Sequence, residues 1–414
     1  MKICLVSNLY PPLHQGDAEI YVSRLADALA HDHQVVVITS EPGGHLGPRR
    51  EVAPDGTVIY RLAPLNVGHV SNLPQGVIHR AAFRAIDFYQ PQVASSVRAI
   101  IAAERPDIVH IHNWPGLSLA ALLSSLKSDR FDRVPVAMTL HDYSLCCAYG
   151  DLRHPDGQGC PPRLSCRALS AVHRSLTESV RLVLSPSSCA LELHRERGFF
   201  ARAETAVLPY GLPSSSPAGT SGRAVKKTFD VLFLGRVEGH SGTDVLVRAF
   251  RRLSEPSLRL HIAGDGPLLA ACRQQAEGDS RISFHASRSQ EARQALLDAA
   301  DCLIVPSRWP ENCPPGIQEA FQFGPVVIAS RIGGIPEMVR DGVNGLVVEP
   351  GDEAATGSAI ERLRQNPEMQ ARLRAEAQKT ARLYDMAFHA SHLTDAYRRL
   401  IATNRISPLT RKAA

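Results

Sequence analysis

Short runs of apolar, largely β-branched residues recur along the first half of the chain and alternate with stretches of helical periodicity. Such runs are typical of strands that are buried on both faces of a parallel sheet. Helical patterns lie between the runs, for example at residues 19–30 and 98–104. This alternation predicts a doubly wound α/β domain. The strands predicted in this half are residues 3–7, 34–39, 57–62, 108–112, 134–140 and 181–185.

A second series of the same kind follows and predicts a second α/β domain. Between the two series, residues 211–222 are too rich in glycine, proline and serine to form the interior of a helix or strand. We therefore predict one domain at 1–211, a linker at 212–224 and another domain at 225–386. Parallel sheets bind ligands at the carboxyl ends of their strands, so two such domains facing each other would enclose a cleft. The strands predicted in the second series are residues 229–234, 258–263, 282–286, 302–305, 326–329 and 345–348.

The composition narrows the class of protein. A chain of 414 residues has room for two domains of roughly 150–200 residues each. The net charge of +5 is spread along the chain, so the sequence gives no support for a nucleic-acid partner. We find no apolar run of about 18 residues and no signal-peptide pattern, and nine cysteines in such a chain indicate reduced thiols. We expect a cytoplasmic protein.

Glycines and an arginine follow the first two strands of the second series. Gly235 and Arg236 come directly after residues 229–234. Glycine allows a ligand to approach the backbone, and arginine carries a permanent charge suited to a diphosphate, although an ordinary surface arginine at a turn is the alternative. Gly264 and Gly266 begin a tight turn into a helix, which either lines a ligand or serves only the chain reversal.

Two glutamates mark the most informative stretch, residues 306–320. Glu311 and Glu319 stand eight positions apart, but Pro314 and Pro315 exclude one continuous helix. Because proline is favoured at the first helical position, we predict that Glu311 lies in a loop and that Glu319 lies about one turn into a helix beginning near Pro315. The first amides of that helix would face a phosphate, with one carboxylate on either side. Two solvated glutamates near a helix start are the alternative.

In order and spacing, these motifs resemble the donor-site signature of the family 4 retaining glycosyltransferases. The similarity covers residues 306–345, with Glu-x7-Glu at Glu311 and Glu319 and the sequence Ile-Gly-Gly-Ile-Pro-Glu at 332–337. The resemblance implies the GT-B fold, in which two Rossmann-like parallel-sheet domains face a central cleft. It also implies that a last helix, at 387–414, packs back on the first domain.

The resemblance implies a role for each matching residue. Glu319 would bind ribose hydroxyls of the nucleotide, Glu311 would contact the donor sugar near the reacting carbon, and Arg236 would neutralise the diphosphate leaving group. The backbone at Gly316 and Ile317 would hold phosphate oxygens. Since Arg236 and the helix N-terminus would stabilise the leaving group, we expect that neither a cofactor nor a metal is required.

The first domain departs from the family pattern at one loop. The loop with Gly16 could approach the donor phosphates through its backbone, or it could be a plain connection between strand and helix. The family usually has two adjacent glycines there, whereas this chain has Gly16 followed by Asp17, and Asp17 could meet the acceptor instead. His141 follows a predicted strand, where similar proteins have an active-site histidine that contacts the donor sugar. His112 and Asn113 follow the neighbouring strand and could line the acceptor side.

A lysine is missing from the donor site. Similar transferases have a lysine a few residues after the Gly-Arg pair, and that lysine binds the diphosphate. Ser241 stands at this position, and its hydroxyl can donate one hydrogen bond but brings no charge. We expect Arg236, the helix N-terminus and, when it is protonated, His240 to stabilise the diphosphate leaving group. An inactive, degenerate site is the alternative.

Two further segments carry candidate chemistry. Cys146, Cys147, Cys160 and Cys166 do not have the paired spacing of a zinc site, which favours plain thiols over a bound metal. Residues 79–105 mix aromatic and arginine side chains. This segment could rest on a membrane that holds a lipid-linked acceptor, but an ordinary packing helix is the favoured interpretation.

The sequence thus predicts a retaining glycosyltransferase that uses a nucleotide-sugar donor. The acceptor would be a glycan, a lipid-linked sugar or a small molecule, in the synthesis of cell-surface polysaccharide or glycoconjugate. The location would be cytoplasmic, with peripheral contact at the inner face of the plasma membrane. A nucleotide-sugar epimerase and a non-catalytic nucleotide-sugar-binding protein are the alternatives.

Overall fold

Two β-sheets, one from each half of the chain, organise the computed structural model. It describes residues 1–14, 16–43, 47–72, 76–126, 134–147, 150, 152, 164–213, 226–285 and 290–410. The two parallel-sheet α/β domains predicted from the sequence are confirmed. All twelve predicted strands are present, most of them within one or two residues of the expected ends.

The first sheet has eight strands among the described residues, in the order β3-β4-β2-β1-β5-β6-β7-β8. Its central strands are buried because their valines, isoleucines and leucines face helices on both sides. The strands are β1 (Lys2–Val6), β2 (Gln34–Ser40), β3 (Arg49–Val52), β4 (Val58–Leu62), β5 (Ile108–Ile111), β6 (Val136–Thr139), β7 (Leu182–Ser185) and β8 (Glu204–Val207).

Two of these strands, β3 and β8, were not predicted. Both lie at the edges of the sheet, and β3 runs antiparallel to β4 while the other pairs are parallel. Edge strands expose one side and carry charged residues, so they lack the continuous apolar run that identifies a central strand. The first-domain helices are α1 (Asp17–Ala30), α2 (Val77–Asp87), α3 (Pro91–Glu104), α4 (Leu119–Leu126), α5 (Leu164–Thr177) and α6 (Ser188–Glu196).

The second sheet has six strands, all parallel, in the order β11-β10-β9-β12-β13-β14 within the described part. Its strands are β9 (Phe229–Leu234), β10 (Leu258–Ala263), β11 (Ile282–His285), β12 (Cys302–Val305), β13 (Val326–Ser330) and β14 (Gly345–Val348). Its helices are α7 (Thr243–Arg251), α8 (Leu269–Gln275), α9 (Gln290–Ala299), α10 (Pro315–Phe323), α11 (Ile335–Met338), α12 (Glu353–Arg364) and α13 (Pro367–Ala381).

The strand orders fix where a ligand can bind. In the first sheet the chain reverses its direction of winding between β1 and β5, and in the second sheet it does so between β9 and β12. Loops that leave such neighbouring strands in opposite directions open a crevice at the carboxyl edge of the sheet. The predicted site residues follow β1, β5, β6, β9, β10 and β12, so the topology brings them to this edge.

A long C-terminal helix, α14 (Met386–Thr410), returns to the first domain. Its residues Leu393, Tyr397 and Leu400 are buried in one apolar cluster with Tyr21 and Leu25 of α1. The exact domain limits stay a prediction, since most of the predicted linker, from residue 214 to 224, lies outside the described residues. Among those described, no helix has both the length and the hydropathy needed to cross a bilayer.

Candidate active site

A cavity of about 1000 Å³ lies between the two domains, at the carboxyl edges of both sheets. Its walls come from the loops after β1, β5 and β6 on one side and after β9, β10 and β12 on the other. Most of the predicted site residues meet here. Those that line the cavity are Gly16, Asp17, Asn113, His141, Gly235, Arg236, Ser241, Gly264, Gly266, Glu311 and Gly316.

Arg236 points out from the loop after β9 and forms an ion pair with Glu238. Its Nε lies 2.6 Å from Oε1 of Glu238, and the arginine side chain is 70% exposed. His240 approaches the other oxygen of the same carboxylate, at 3.3 Å from Nδ1. The carboxylate of Glu238 thus contacts both Arg236 and His240, the two basic side chains that the sequence analysis assigns to the diphosphate.

Ser241 lies in the same loop and uses its hydroxyl locally. The hydroxyl donates to the carbonyl of Glu238 at 2.7 Å and lies 2.9 Å from Oγ1 of Thr243. Ser241 therefore closes the turn that leads into α7, while still lining the cavity. It adds no charge to this wall.

The glycines of the second domain serve two different purposes. Gly264 and Gly266 have φ angles of +156° and +157°, and a Cβ on either would overlap a backbone carbonyl of the adjacent loop, at Gly235 or Val237. Glycine is needed there so that the two loops can pack. Gly235 also has a positive φ, of +157°, but a Cβ there would meet only Phe233, at 3.8 Å, which leaves room for a ligand.

The loop and helix after β12 have the predicted form. Helix α10 begins at Pro315, so Glu319 lies one turn inside it, and Glu311 lies in the loop before it. The hydroxyl of Ser307 donates to Oε1 of Glu311 at 3.0 Å, which orients that carboxylate. Oε2 of Glu319 accepts a hydrogen bond of 2.7 Å from Nε of Arg293 in α9.

Three predicted site residues do not line the cavity. The side chain of Ile317 is fully buried and its amide donates to the carbonyl of Pro314 at 3.1 Å, so this amide is not free for a phosphate as predicted. The first turn is tightened by this bond, as is common at helix ends. Glu319 lies behind Arg293, which does line the cavity. His112 is only 3% exposed and lies behind His141, instead of facing an acceptor.

His141 is held from two sides by other rings. Its Nε2 lies 3.1 Å from Nδ1 of His112, and its Nδ1 lies 2.8 Å from the hydroxyl of Tyr210. Burial lowers the pKa of His141 to about 3, so the ring is neutral at physiological pH. Because both ring nitrogens have protein partners, the imidazole can bond a sugar hydroxyl only in exchange for one of them, and it supplies no positive charge.

Further aromatic and histidine rings lie behind the cavity and reach α14. Tyr21 contacts His389 of α14 at 2.7 Å, and His110 contacts Tyr397 of α14 at 2.5 Å. Burial lowers the pKa of His110 well below its usual value and that of His389 to about 4. We use the name ring cluster for Tyr21, His110, His112, His141, Tyr210, His389 and Tyr397.

The first-domain loop after β1 is fixed by a carboxylate that the sequence did not single out as a site residue. Oε2 of Glu19 accepts from the amide of Gly16 at 2.7 Å, and Oε1 accepts from the side chain of Asn113 at 3.2 Å. Glu19 therefore joins the loops after β1 and β5. The surrounding cleft raises the pKa of Asp17, an effect that Arg293 partly offsets.

Contacts across the cleft hold the domains together beside the cavity. Asn312 donates to the carbonyl of Leu140 at 2.8 Å and accepts from the hydroxyl of Ser187 at 2.6 Å. The carboxylate of Glu337 accepts from the amides of Ser188 and Cys189, at 2.7 and 2.8 Å, and so caps α6 of the first domain. Sequence spacing alone gives no signal for these interdomain partners.

The cysteine segment is only partly described. Cys146 and Cys147 are buried free thiols, and Cys166 is half-buried, whereas Cys160 lies outside the described residues. Burial raises the pKa of the Cys146 thiol to about 11. A thiol in this state is a poor metal ligand and a poor nucleophile at neutral pH.

Comparisons with known proteins agree with this geometry. A family profile described as Glycosyl transferase 4-like domain matches residues 16–211, and one described as Glycosyl transferases group 1 matches residues 220–380. A D-inositol 3-phosphate glycosyltransferase of Streptomyces griseus is 27% identical, with 98% of this chain and 90% of the relative aligned. A glycogen synthase of Mycobacterium tuberculosis is 26% identical over 96% of this chain and 94% of that protein.

Solved structures show the same arrangement of domains. A sucrose-phosphate synthase from Thermosynechococcus elongatus superposes with a TM-score of 0.74 at 20% identity, covering 97% of this chain and 99% of that one. The HepE protein of Anabaena, solved with UDP and glucose, superposes with a TM-score of 0.68 at 19% identity, covering 96% and 100%. At these identities the likeness establishes the fold.

Proposed function

This chain belongs to the family 4 glycosyltransferases of the GT-B fold, and we propose that it transfers a sugar from a nucleoside diphosphate to an acceptor hydroxyl with retention of the anomeric configuration. The observation that carries the proposal is the meeting of Arg236, Glu311, His141 and the start of α10 around one cavity between the domains. HepE, with the same fold, was solved with UDP and glucose, which supports a donor of this type.

In the proposed reaction, the bond between the anomeric carbon and the diphosphate oxygen breaks, and a bond to the acceptor oxygen forms on the same face. The acceptor proton passes to the departing diphosphate. Arg236 stabilises the developing negative charge, as preorganised donors do at other leaving groups. Glu311 and His141 hold the sugar, and binding both substrates in one cavity supplies the orientation that such a step needs.

We propose that the reaction requires no metal, because arginine side chains supply the positive charge that a divalent cation would otherwise bring to a diphosphate. Glu311 and Glu319 serve binding and do not act as a nucleophile. Transfer should therefore continue in the presence of excess EDTA. A loss of activity that added Mg²⁺ or Mn²⁺ restores would contradict this part of the proposal.

The first-domain wall offers polar groups for an acceptor. Asp17 and Asn113 line it and offer hydrogen bonds to a hydroxyl-bearing acceptor. The relatives named above include a D-inositol 3-phosphate glycosyltransferase and a glycogen synthase. We propose a glycan or lipid-linked acceptor and a role in cell-surface polysaccharide or glycoconjugate synthesis.

A lipid-linked acceptor fits an exposed apolar surface on the first domain. Ile78 is 82% exposed, and Phe88 and Tyr89 are about half exposed, next to Arg80 and Arg84 of α2. Aromatic and basic side chains together favour the interface of an anionic membrane. We propose peripheral contact at the inner face of the plasma membrane, which flotation with phosphatidylglycerol vesicles tests: Ile78→Ser with Phe88→Ser should lose binding, and exposed Leu383→Ser should not.

The reaction itself is tested with purified protein and a panel of UDP-, GDP- and ADP-sugars, with and without acceptors. Mass spectrometry detects transfer, and proton NMR of the anomeric position reports retention or inversion. An epimerase would convert the donor without an acceptor, and a binding protein would bind nucleotide without turnover. Glu319→Ala should raise the donor KM about 10- to 100-fold, since a charged hydrogen bond is worth about 1.5–3 kcal/mol.

A further inference from the structure

The lining of the cavity is rich in carboxylates, although the donor itself is an anion. Among the described residues that line the cavity, the permanent cations are Arg236 and Arg293. His141, which also lines the cavity, is neutral because it is buried. A diphosphate carries about two negative charges and needs cationic partners in such surroundings. The carboxylates in the lining are Asp17, Glu19, Asp142, Asp265 and Glu311.

Arg293 lies where the donor domain meets the first domain. It is in the first turn of α9, its side chain is 30% exposed, and one Nη atom lies 3.9 Å from the position that a Cβ on Gly316 would take. At the start of the same helix, Gln290 accepts a hydrogen bond of 3.5 Å from Arg24 of α1. The guanidinium of Arg293 thus stands over the start of α10 and faces the first-domain wall.

One carboxylate is hydrogen-bonded to this guanidinium, and a second carboxylate, from the first domain, lines the same cavity. Oε2 of Glu319 accepts a hydrogen bond of 2.7 Å from Nε, and burial raises the pKa of Asp17, an effect that the charge of Arg293 partly offsets. Nε is engaged by Glu319, while a guanidinium has further N–H donors that can bind an oxyanion at the same time. Arg293 is therefore placed to bind a diphosphate in the cavity while its Nε stays bonded to Glu319.

The loop after β9 brings one permanent cation, Arg236, to the described cavity lining, so a diphosphate can take a second cationic partner from another element. Arg236 is bound to Glu238, and the neighbouring Ser241 is neutral and engaged with Glu238 and Thr243. This wall therefore presents one guanidinium, already shared with a carboxylate. Arg293 of α9 presents the other guanidinium to the same cavity.

We propose that Arg293 is a donor-binding residue that contacts the diphosphate from the side of α9 while its bond to Glu319 holds the guanidinium in place. This inference rests on the proposed function, because it assumes a nucleoside diphosphate donor. The sequence reasoning missed Arg293 because α9 carries no motif, and only the fold brings it to Glu319 and Gly316.

The test is calorimetric binding to the full chain of nucleosides, nucleoside monophosphates and nucleoside diphosphates of uracil, guanine and adenine. Arg293→Gln should weaken binding of the preferred diphosphate about 10- to 100-fold, the range expected for one charged hydrogen bond. Binding of the nucleoside should change less than about threefold. Arg293→Lys should restore part of the loss, since it keeps the charge but not the fork of donors.

Arg364→Gln is the matched control, because Arg364 is buried to a similar extent and is paired with Glu361, at 2.8 Å, away from the cavity. It should bind all ligands as the wild type does. An equal loss for nucleoside and diphosphate in Arg293→Gln would mean that Arg293 only positions Glu319, and unchanged diphosphate binding would equally overturn the inference. If the wild-type protein binds none of the nucleotides, the proposed function itself fails.

Discussion

The cleft wall of the second domain carries both arginines that line the described cavity, whereas the wall of the first domain backs onto a packed cluster of neutral rings. Arg236 and Arg293 bring permanent charge to the donor side and remain partly exposed. On the other side, His141 is neutral and is held by His112 and Tyr210. The difference predicts that the second-domain wall recognises charge and that the first-domain wall fixes the geometry of hydrogen bonds.

The two walls also differ in how far apart their parts lie in the sequence. Most residues of the second-domain wall, or charged wall, come from short loops in which neighbours such as Gly235 and Arg236 both line the cavity, and Arg293 of α9 is the exception. The ring cluster joins residues from α1, three strand ends and α14, and its most distant hydrogen bond links Tyr21 to His389. A variant of the charged wall should therefore change binding and catalysis, and a variant of the ring cluster should also change stability.

The largest effect is expected from Arg236→Ala. If the leaving group depends on this charge, removal should lower kcat about 100- to 1000-fold, as loss of one preorganised donor does at other sites. Steady-state kinetics with the identified donor measures the effect. Arg331→Ala is the control, because Arg331 is paired with Glu349 at 2.9 Å outside the cavity lining and should leave kcat unchanged. A drop of less than about fivefold in Arg236→Ala would remove Arg236 from the mechanism.

Acid should destabilise the protein through the ring cluster. An unfolded histidine takes up a proton below a pH of about 6.5, whereas the folded state keeps His389 neutral until about pH 4, where its pKa lies. Unfolding therefore binds one more proton at this position over that interval, and the free energy of unfolding falls as pH drops. Between pH 6.5 and 5 this amounts to about 2 kcal/mol for one histidine.

The contribution of His389 can be isolated by substitution. His389→Gln should lower stability at pH 7 but lose about 2 kcal/mol less than the wild type between pH 6.5 and 5, as measured by urea unfolding at the two values. Exposed His392→Gln, on the same helix, should show the wild-type loss. If His389→Gln and the wild type lose the same free energy, the buried ring is not the source of the acid sensitivity.

A smaller effect is expected from Tyr210→Phe, which removes the hydroxyl bonded to Nδ1 of His141. The ring of His141 would keep its place but lose one orienting bond, so kcat should fall about fivefold, the value of one neutral hydrogen bond, while donor affinity stays within twofold. Tyr10→Phe, another buried tyrosine of the first domain, serves as the control. Equal kcat values in wild type and Tyr210→Phe would show that this bond does not orient the histidine for transfer.

Much of the charged wall could be predicted because its physical cause is local. Two adjacent prolines end the loop and start α10 at Pro315, and this alone puts Glu311 outside the helix and Glu319 inside it. The central strands were equally accessible, since strands buried on both faces show as apolar runs. Gly264 and Gly266 were expected to line a ligand or to serve a chain reversal. In the structure the packing of two loops requires glycine at both positions, whether or not a ligand is present.

The remainder depends on contacts between distant residues, which the sequence does not reveal. His112 appeared as a cavity residue from its position after β5, but packing against His141 buries it. Tyr210 follows the edge strand β8. This strand was not predicted, because its residues are of mixed polarity, and so the sequence offered no reason to single out Tyr210. Arg293 lies in a helix without any motif, and its importance comes only from Glu319, 26 positions further along the chain.

The smallest predicted effect, on Ser241, tests the charged wall by adding to it. Ser241 lines the cavity, but its hydroxyl is already hydrogen-bonded to Glu238 and Thr243. Ser241→Lys would place a positive charge in the same wall as Arg236, and it should tighten binding of the nucleoside diphosphate about three- to tenfold, with a steeper dependence on salt. Binding of the nucleoside alone should not change, and Ser241→Gln, of similar length but neutral, provides the control for size.

The same substitution also sharpens the comparison between the two guanidinium groups. If Arg293 compensates for the neutral residue at 241, the gain from Ser241→Lys should be larger in an Arg293→Gln background than in the wild type, a coupling that a double-mutant cycle measures. Equal gains in both backgrounds would mean that the two positions act on the phosphates independently. If the lysine binds no better than the glutamine in either background, residue 241 does not face the phosphates, and the donor charge is met by Arg236 and Arg293 alone among the permanent cations that line the described cavity.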